Sequence, residues 1–441
     1  MREMKDSGIE WIGAIPINWD IAQFKKILIR NDGGLWGNDP SGQDDILVLR
    51  STEQTIDGKW DIQSPAYRDL SNVSNVQEYL VKCGDLLITK SSGSDLHIGK
   101  TTIVDELIES LHCSFSNFIQ RLRVCSKMNP RYYWYILNSN IARGQFVYLQ
   151  NSTSGIGNIN SKNINEIEVP IPPLDIQHTI ADYLDRKCSQ IDDIIARQQE
   201  VIEKLKAYKL SVITEAVTKG LNPDVPMKDS GVEWIGEIPE HWEIRRIGSF
   251  ARVTSSKRIF EESYVDEGVP FYRSKEITDL SKGLHVQTEI FIPEEVFEQV
   301  NEASPAPKCG DILLTSIGTI GNTWISDGRK FYYKDGNITQ IEANDSFDSA
   351  YVEYCFSSNV VLEQYTRLAM GSTLLALTII KIKKILVAFP PLDEQRKIVQ
   401  YLKLKYSSID AAIKNKENLI TKLADYKKSL IYEVVTGKKE V

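Results

Sequence analysis

The chain is written twice, and that fact limits the folds open to it more than any other. MKDSGIEWIGAIPINW (Met4 to Trp19) returns as MKDSGVEWIGEIPEHW (Met227 to Trp242), identical at 12 of 16 positions. IPPLDIQHTIADYLDRKCSQID, from Ile171, returns as FPPLDEQRKIVQYLKLKYSSID, from Phe389. That match runs without a gap to ITEAVTKG (from Ile213) and IYEVVTGK (from Ile431). Repeats are the first thing to settle in a sequence, because missing them misreads the whole fold. Each half is an arm, a middle and a long charged tail. The middles agree only at points: LVLRSTE (Leu47 to Glu53) with PFYRSKE (Pro270 to Glu276), KCGDLLITKSS (from Lys82) with KCGDILLTSIG (from Lys308), and SNFIQRL (from Ser116) with GNITQIE (from Gly336). The offset between halves is 223 residues at the arm, 226 at KCGD and 218 at the tail, so the middles have drifted in loop length. A duplicated scaffold with two diverged inserts follows.

The tails read as helices. Pro172–Pro173 and Pro390–Pro391 precede them, and no Pro or Gly follows until Gly220 and Gly437. Asp175 and Asp393 suit an N-cap or first turn, where a carboxylate complements orphan N–H groups and the helix dipole. Heptad-spaced lines run Leu184, Ile191, Gln198, Leu205, Val212 and Cys188, Ile195, Ile202. Their counterparts are Leu402, Ile409, Lys416, Leu423, Leu430 and Tyr406, Ile413, Ile420. Sustained heptads predict coiled-coil packing of the two helices on each other, in preference to two unrelated amphipathic helices. Gln198 and Lys416 interrupt the same heptad and are expected to form a polar pair that specifies register. Each helix should span roughly 43 residues, about 65 Å at 1.5 Å per residue, long enough to act as a spacer.

The middles alternate short β-rich runs (Ile46 to Leu49, Leu86 to Thr89, Phe118 to Val124, Ile312 to Thr315, Asn337 to Ile341) with Gly, Ser, Asp and Asn turns. Each is expected to be a compact mixed α/β domain of unspecified strand order. At 441 residues, 42% apolar and 25% charged, the chain has the composition of a soluble multidomain protein. Lys381, Lys383 and Lys384 break its longest late apolar stretch, so no membrane span is expected. The first residues lack the apolar core of a secretory signal, and six scattered cysteines show no CxxC, which predicts a reducing cytoplasm.

Catalytic patterns fail one by one. SDLHIGKT (Ser94 to Thr101) is nearly a P-loop, but Ser94 stands where its first glycine belongs. The matching segment of the other half carries Asn322 in place of the lysine. Neither Pro-Pro pair precedes an aromatic, as an adenine methyltransferase loop requires, and no glycine-rich cofactor turn is present. His97, His112, His178, His241 and His285 form no metal-ligand spacing and no nucleophilic pair with a cysteine. No catalytic residues and no metal site are expected.

The doubled MKDSGxEWIGxIPxxW arm, the KCGDxLxT strand and the PPLDxQ helix start resemble the specificity subunits of type I restriction-modification systems, over essentially the whole chain. The resemblance implies two α/β target-recognition domains separated by a pair of long antiparallel helices, with a pseudo-two-fold internal repeat. It implies these segments: 1–170, arm and first recognition domain; 171–219, central spacer helix; 220–226, linker; 227–388, second arm and recognition domain; 389–441, C-terminal spacer helix. It implies double-stranded DNA with a bipartite target as ligand, and two modification (adenine methyltransferase) subunits and restriction/translocase subunits as partners. S-adenosylmethionine, ATP and Mg²⁺ would sit on those partners and none on this chain. The rival readings are a self-contained methyltransferase or nuclease and a scaffold that never meets DNA.

Charge argues against a DNA ligand at first sight, because the net charge is −8 and nucleic-acid binders are usually basic. The tail from Asp393 to Lys438, however, carries ten basic against six acidic side chains. Any DNA-facing surface elsewhere must therefore be local. Arginine reads guanine and Asn or Gln reads adenine through paired hydrogen bonds. Arg50 and Arg273, matched just after a strand, are expected to contact base or phosphate, with Lys275 beside the second. Asn117, Gln120, Asn337 and Gln340 are matched on another strand. The loops Lys90, Ser91, Ser92 and Ser316, Gly318, Thr319 could approach the backbone, as could Ser152, Thr153, Ser154 opposite Ser372 and Thr373. Trp11, Trp19, Trp234 and Trp242 are expected to pack the arms on the helices, with burial in a partner interface as the alternative.

Overall fold

A computed structural model of the chain describes residues 2–92, 97–150, 158–317, 320–369 and 376–441. Its contacts define two units that are not successive stretches of chain. The first is Met1–Arg197 with Asn418–Val441, and the second is Gln198–Glu417. Each unit thus contains one arm, one middle, the opening part of its own tail and the closing part of the other tail. Among the described residues no helix is long and apolar enough to cross a membrane.

The two units repeat one topology. In the first, the arm is a hairpin of Met4–Asp6 and Ala14–Pro16, and Asp20–Gln23 pairs antiparallel with Glu168–Ile171 just before the long helix. The core sheet is antiparallel, in the order Leu28–Gly33, Ile119–Val124, Leu86–Thr89, Thr101–Ile103. A small sheet has Ile46–Leu49 at its centre, parallel to Ser114–Phe115 and antiparallel to Tyr67–Arg68. The second unit matches it strand for strand. Its arm is Met227–Asp229 with Glu237–Pro239, and Glu243–Arg246 pairs with Leu386–Phe389. Its core sheet runs Val253–Thr254, Ile338–Ile341, Ile312–Thr315, Thr323–Ile325. Its small sheet centres on Val269–Tyr272, parallel to Tyr332–Tyr333 and antiparallel to Phe291–Ile292.

The shared motifs are the devices that hold these sheets. Gly84 and Gly310, at φ +87° and +93°, make the left-handed turn that only glycine adopts freely. The following aspartate folds back on the turn, and Lys82 N and Lys308 N donate to Asp85 and Asp311 at 2.9 and 2.8 Å. Both carboxylates are buried, so each must find donors. Arg123 supplies two to Asp85, and Gln340 with the Ala343 amide supplies them to Asp311. The glutamine of PPLDxQ is buried in both units. Its amide receives the amide proton of a helix N-cap residue, Asn129 or Asp348, and donates to Pro172 O or Pro390 O.

The long helices run Leu174–Lys219 and Leu392–Val435, of 46 and 44 residues. Asp175 and Asp393 lie in their first turns. Every heptad residue of the seam is buried or half-buried. In the first unit Asp192 pairs with Lys427 at 2.6 Å, and in the second Lys209 pairs with Asp410 at 2.6 Å. Going up the first helix from 192 to 209 goes down the other from 427 to 410, an antiparallel sense. Counted from Lys209–Asp410, Lys416 stands level with Glu203 rather than Gln198. The expected Gln198–Lys416 polar pair is therefore not formed, because positions equivalent by repeat are not opposite in an antiparallel pair. The Gln198 Oε1 is buried with no hydrogen-bond partner.

The arms close on helix ends. Trp19 and Trp242 are fully buried. The first unit's core joins Ile12, Ile15 and Trp19 to Leu430, Val434 and Val435, and the second's joins Ile235, Ile238 and Trp242 to Val212, Ala216 and Val217. Each indole lies on a glycine just past a helix end: a Cβ on Gly437 would come within 2.9 Å of Trp19, and one on Gly220 within 3.1 Å of Trp242. Trp11 and Trp234 are half-buried beside their own middles, Trp11 on Tyr148 and Trp234 under the Arg367 guanidinium.

The two buried indoles differ in one bond. Trp242 Nε1 donates to Glu394 Oε2 at 2.9 Å, whereas Trp19 Nε1 has no partner, since Ile176 stands at the place matching Glu394. Both Trp→Phe changes remove the same atoms, but only one breaks a bond to a carboxylate. Trp242→Phe is expected to cost about 1–2 kcal/mol more than Trp19→Phe in urea unfolding followed by far-UV circular dichroism. Equal costs would show that the Glu394 bond contributes nothing.

Candidate nucleic-acid interface

In each unit the parallel strand pair of the small sheet ends at one place, and two loops meet there. The RSxE turn leaves the central strand; the loop carrying Asn117 or Asn337 leaves its neighbour. Ser116 N donates to Leu49 O at 2.8 Å in the first unit, and Lys334 N to Tyr272 O at 2.9 Å in the second. In the first unit these loops form an open groove lined by Trp36, Arg50, Thr52, Ser116, Asn117 and Phe118. Asn117 is exposed, and Phe118 is 52% exposed rather than part of the strand that follows.

The RSxE spacing makes the same clamp twice. Arg50 N donates to Glu53 Oε2 at 2.9 Å, and its Nε and Nη2 donate to Oε1 at 3.0 and 2.7 Å. Arg273 N donates to Glu276 Oε2 at 2.8 Å and Nη2 to Oε1 at 2.9 Å. An acid three residues on can reach back to the amide that opens the turn, as in a capping box. The glutamates are buried, while the Arg50 and Arg273 side chains remain 33% and 38% exposed. The Arg273 guanidinium thus spends one edge on the clamp, and Arg50 spends a further bond on Ser64 O, while both stay open to the loop mouth. Arg273 is held above its ordinary pKa by its hydrogen bond to Glu276.

Other expected contact residues fall in different places. Gln120 and Gln340 are interior residues, each 2% exposed, so as the chain stands they reach no base edge. Gln120 Nε2 donates to Asn31 and Ser161, and Gln340 bridges Asp311 and Tyr333. Both strands are buried on both faces here, and the ladder sets Gln340 opposite Leu313, the match of Leu87. Gln340 therefore stands in the place of Arg121 and Gln120 in that of Thr339; a one-residue shift of this kind is not visible in a matched sequence. Ser316 is also buried, with its hydroxyl 2.7 Å from that of Thr339. Asn337 and Lys90 are half-buried; Asn337 O accepts from Ser316 N, and Lys90 N donates to Phe118 O, tying its loop to the groove. Ser91 and Ser92 are half-buried nearby, and Lys275 is exposed. Ser152, Thr153, Ser154, Gly318, Thr319, Ser372 and Thr373 lie outside the described residues. In the P-loop-like segment, Lys100 is turned inward: Nζ donates to Gln54 O at 2.5 Å, and burial lowers its pKa.

Trp36, Phe118, Lys257 and Lys334 were not anticipated as mouth residues. Phe118 lies inside the SNFIQRL match, at the start of an expected strand; no short motif marks the other three, and only strand pairing brings them to the loops.

The model of the type I restriction modification DNA specificity domain matches residues 52–204 and 239–422. The chain is similar to a putative type I restriction enzyme MjaX specificity subunit of Methanocaldococcus jannaschii, 26% identical over 97% of this chain and 95% of the relative. It is similar to the type I restriction enzyme EcoKI specificity subunit of Escherichia coli K12, 23% identical over 96% and 90%. Among solved structures, a chain from a study of complex assembly in the type I R-M system superposes with TM-score 0.73 at 16% identity, over 96% of this chain and 98% of that one. The HsdS subunit from Thermoanaerobacter tengcongensis superposes at 0.55 and 16%, with the same coverage. At these identities the structural matches speak for the fold.

The clamp gives a pH test. Burial alone would push the Glu276 carboxyl up, but hydrogen bonds from the Arg273 side chain and amide outweigh it and hold the pKa below its ordinary 4.5. A carboxyl lowered in the folded state stabilises the fold above its unfolded pKa, and that stability is lost as pH falls through the folded one. The gap in thermal midpoint between wild type and Glu276→Gln should narrow from about pH 6 to about pH 3. A gap that stays constant would show that the clamp does not hold Glu276 ionised.

Proposed function

We infer the role of this chain from its family: it belongs to the type I restriction modification DNA specificity family. It is a specificity subunit with two recognition domains. We propose further that each domain reads one half of a split DNA target and that the halves differ in sequence. The observation that carries this reading is one scaffold built twice with two unlike mouths. Clamp, turn and glutamine devices recur in both units, while the loops around Arg50 and Arg273 carry different side chains. Like scaffolds suit two copies of one partner, and unlike mouths suit an asymmetric target, as half-site readers related by a pseudo-two-fold would have.

Two modification subunits, adenine methyltransferases, are proposed to dock on the repeated arms and helices, with restriction/translocase subunits completing the complex. S-adenosylmethionine, ATP and Mg²⁺ are assigned to those partners. The chain itself is proposed to be non-catalytic, in the cytoplasm with its DNA. The failed P-loop supports this, since its lysine is committed to Gln54 O.

The helices are proposed to set the gap between half-sites. A heptad added to one helix alone would break the antiparallel seam, so both need it, after Val201 and after Glu417. Seven residues add about 10 Å at 1.5 Å per residue, or about three base pairs at 3.4 Å each. Mapping methylated adenines in cells carrying this variant should show a gap longer by about three base pairs with the half-site letters intact. Altered letters with an unchanged gap would overturn the spacer role.

A further inference from the structure

The two mouths share a frame but differ in chemistry at three matched positions. On the matched KCGD strands Leu87 faces Arg121 and Leu313 faces Gln340. Asp32, paired with Arg121, thus matches Thr254, paired with Gln340, and three residues on Leu35 answers to Lys257. Two residues past the clamp arginine, Thr52 answers to Lys275. Directly after the parallel strands, Ser116 answers to Lys334. Each time a neutral side chain of the first unit is a lysine in the second.

These lysines are uncompensated. Lys257 and Lys275 are exposed and Lys334 is half-buried. Among the described residues no carboxylate lies within 4.0 Å of any of the three ammonium groups. Asp335 holds Arg258 at 3.0 Å and Glu276 holds Arg273 at 2.9 Å, while Glu289 and Glu261 act on Arg273 and Tyr264 without pairing with these lysines. The first mouth has the opposite balance. Arg50 is clamped by Glu53, and Arg68 is paired with Asp39 and lies 4.2 Å from the Trp36 ring centre. What stays open there is the amide of Asn117, the ring of Phe118 and one half-buried lysine, Lys90. The match of Lys90 in the second unit is Ser316, so the second mouth keeps three such lysines against one.

Lysine is a mobile point charge that meets phosphate without reading sequence. Asparagine and an apolar ring suit base edges, adenine for the first and the thymine methyl for the second. We propose that the recognition domains divide the work: the second supplies the larger share of backbone phosphate contacts through Lys257, Lys275 and Lys334. The first supplies the sharper base discrimination through Asn117 and Phe118, backed by Trp36. This rests on the reading of the chain as a DNA-specificity subunit.

The test uses the complex reconstituted with its modification subunits, and two duplexes, one with the methylated target and one scrambled. Affinity is measured against salt. The triple variant Lys257→Gln, Lys275→Gln, Lys334→Gln should weaken binding to both duplexes alike. It should also flatten the slope of log affinity against log salt by roughly two to three, at about 0.9 per phosphate, with the methylated letters unchanged. The triple Lys→Arg variant should keep the wild-type slope, which separates charge from folding. Asn117→Ala with Phe118→Ala should relax the letters of one half-site and leave the slope alone. An unchanged slope in the Gln variant, or letters lost there instead, overturns the division of work. Wild-type complex binding both duplexes equally would instead overturn the specificity reading itself.

Discussion

The burial of an arm tryptophan against the end of a long helix is the contact on which each unit depends. Trp19 packs over Gly437, and Tyr132 Oη donates to Val435 O at 2.8 Å. Trp242 packs over Gly220, and Tyr351 Oη donates to Val217 O at 3.2 Å. Fully buried aromatics of this size are among the largest single contributions to a core. The helix end that completes each core begins in the other repeat, so neither repeat, cut at its boundary, keeps its core whole. The first unit needs the chain's last turn as much as its own arm.

Around that contact the fold conserves bonds rather than letters. Gln145 exchanges two hydrogen bonds with the backbone of Glu168, and Gln364 does the same with Leu386. The KCGD aspartate recruits an arginine in one unit and a glutamine in the other, yet each is satisfied as burial demands. Substitution is free only where no buried polar group has to be paid for. The mouths come nearest to that condition, because most of their side chains are exposed or half-buried, Ser116 excepted, and their backbone is held from behind by the clamp.

Net charge then becomes a poor guide to ligand. The chain totals −8, but a surface acts through its local field and screening confines that field to roughly 8–10 Å. Clamped arginines contribute geometry more than charge, since each is neutralised by its own glutamate. Free lysines beside them are what an anionic duplex would meet.

The duplication, the start and length of both helices, the heptad seam and the RSxE and KCGD motifs were all legible in the sequence. They depend on neighbours a few residues apart or on one stretch repeating another. The residue pairs across the seam were not: repeat equivalence put Gln198 with Lys416, and antiparallel packing put Lys416 level with Glu203. Gln120 and Gln340 match in sequence but not in place, since the ladder sets Gln340 where the first unit has Arg121, and both are interior. The correspondence of Leu35 with Lys257 needed the strand pairing, because the loop lengths had drifted. Local periodicity and self-similarity are properties of the chain alone. Which helix end fills which core, and which side chains face outward together, are settled by contacts hundreds of residues apart.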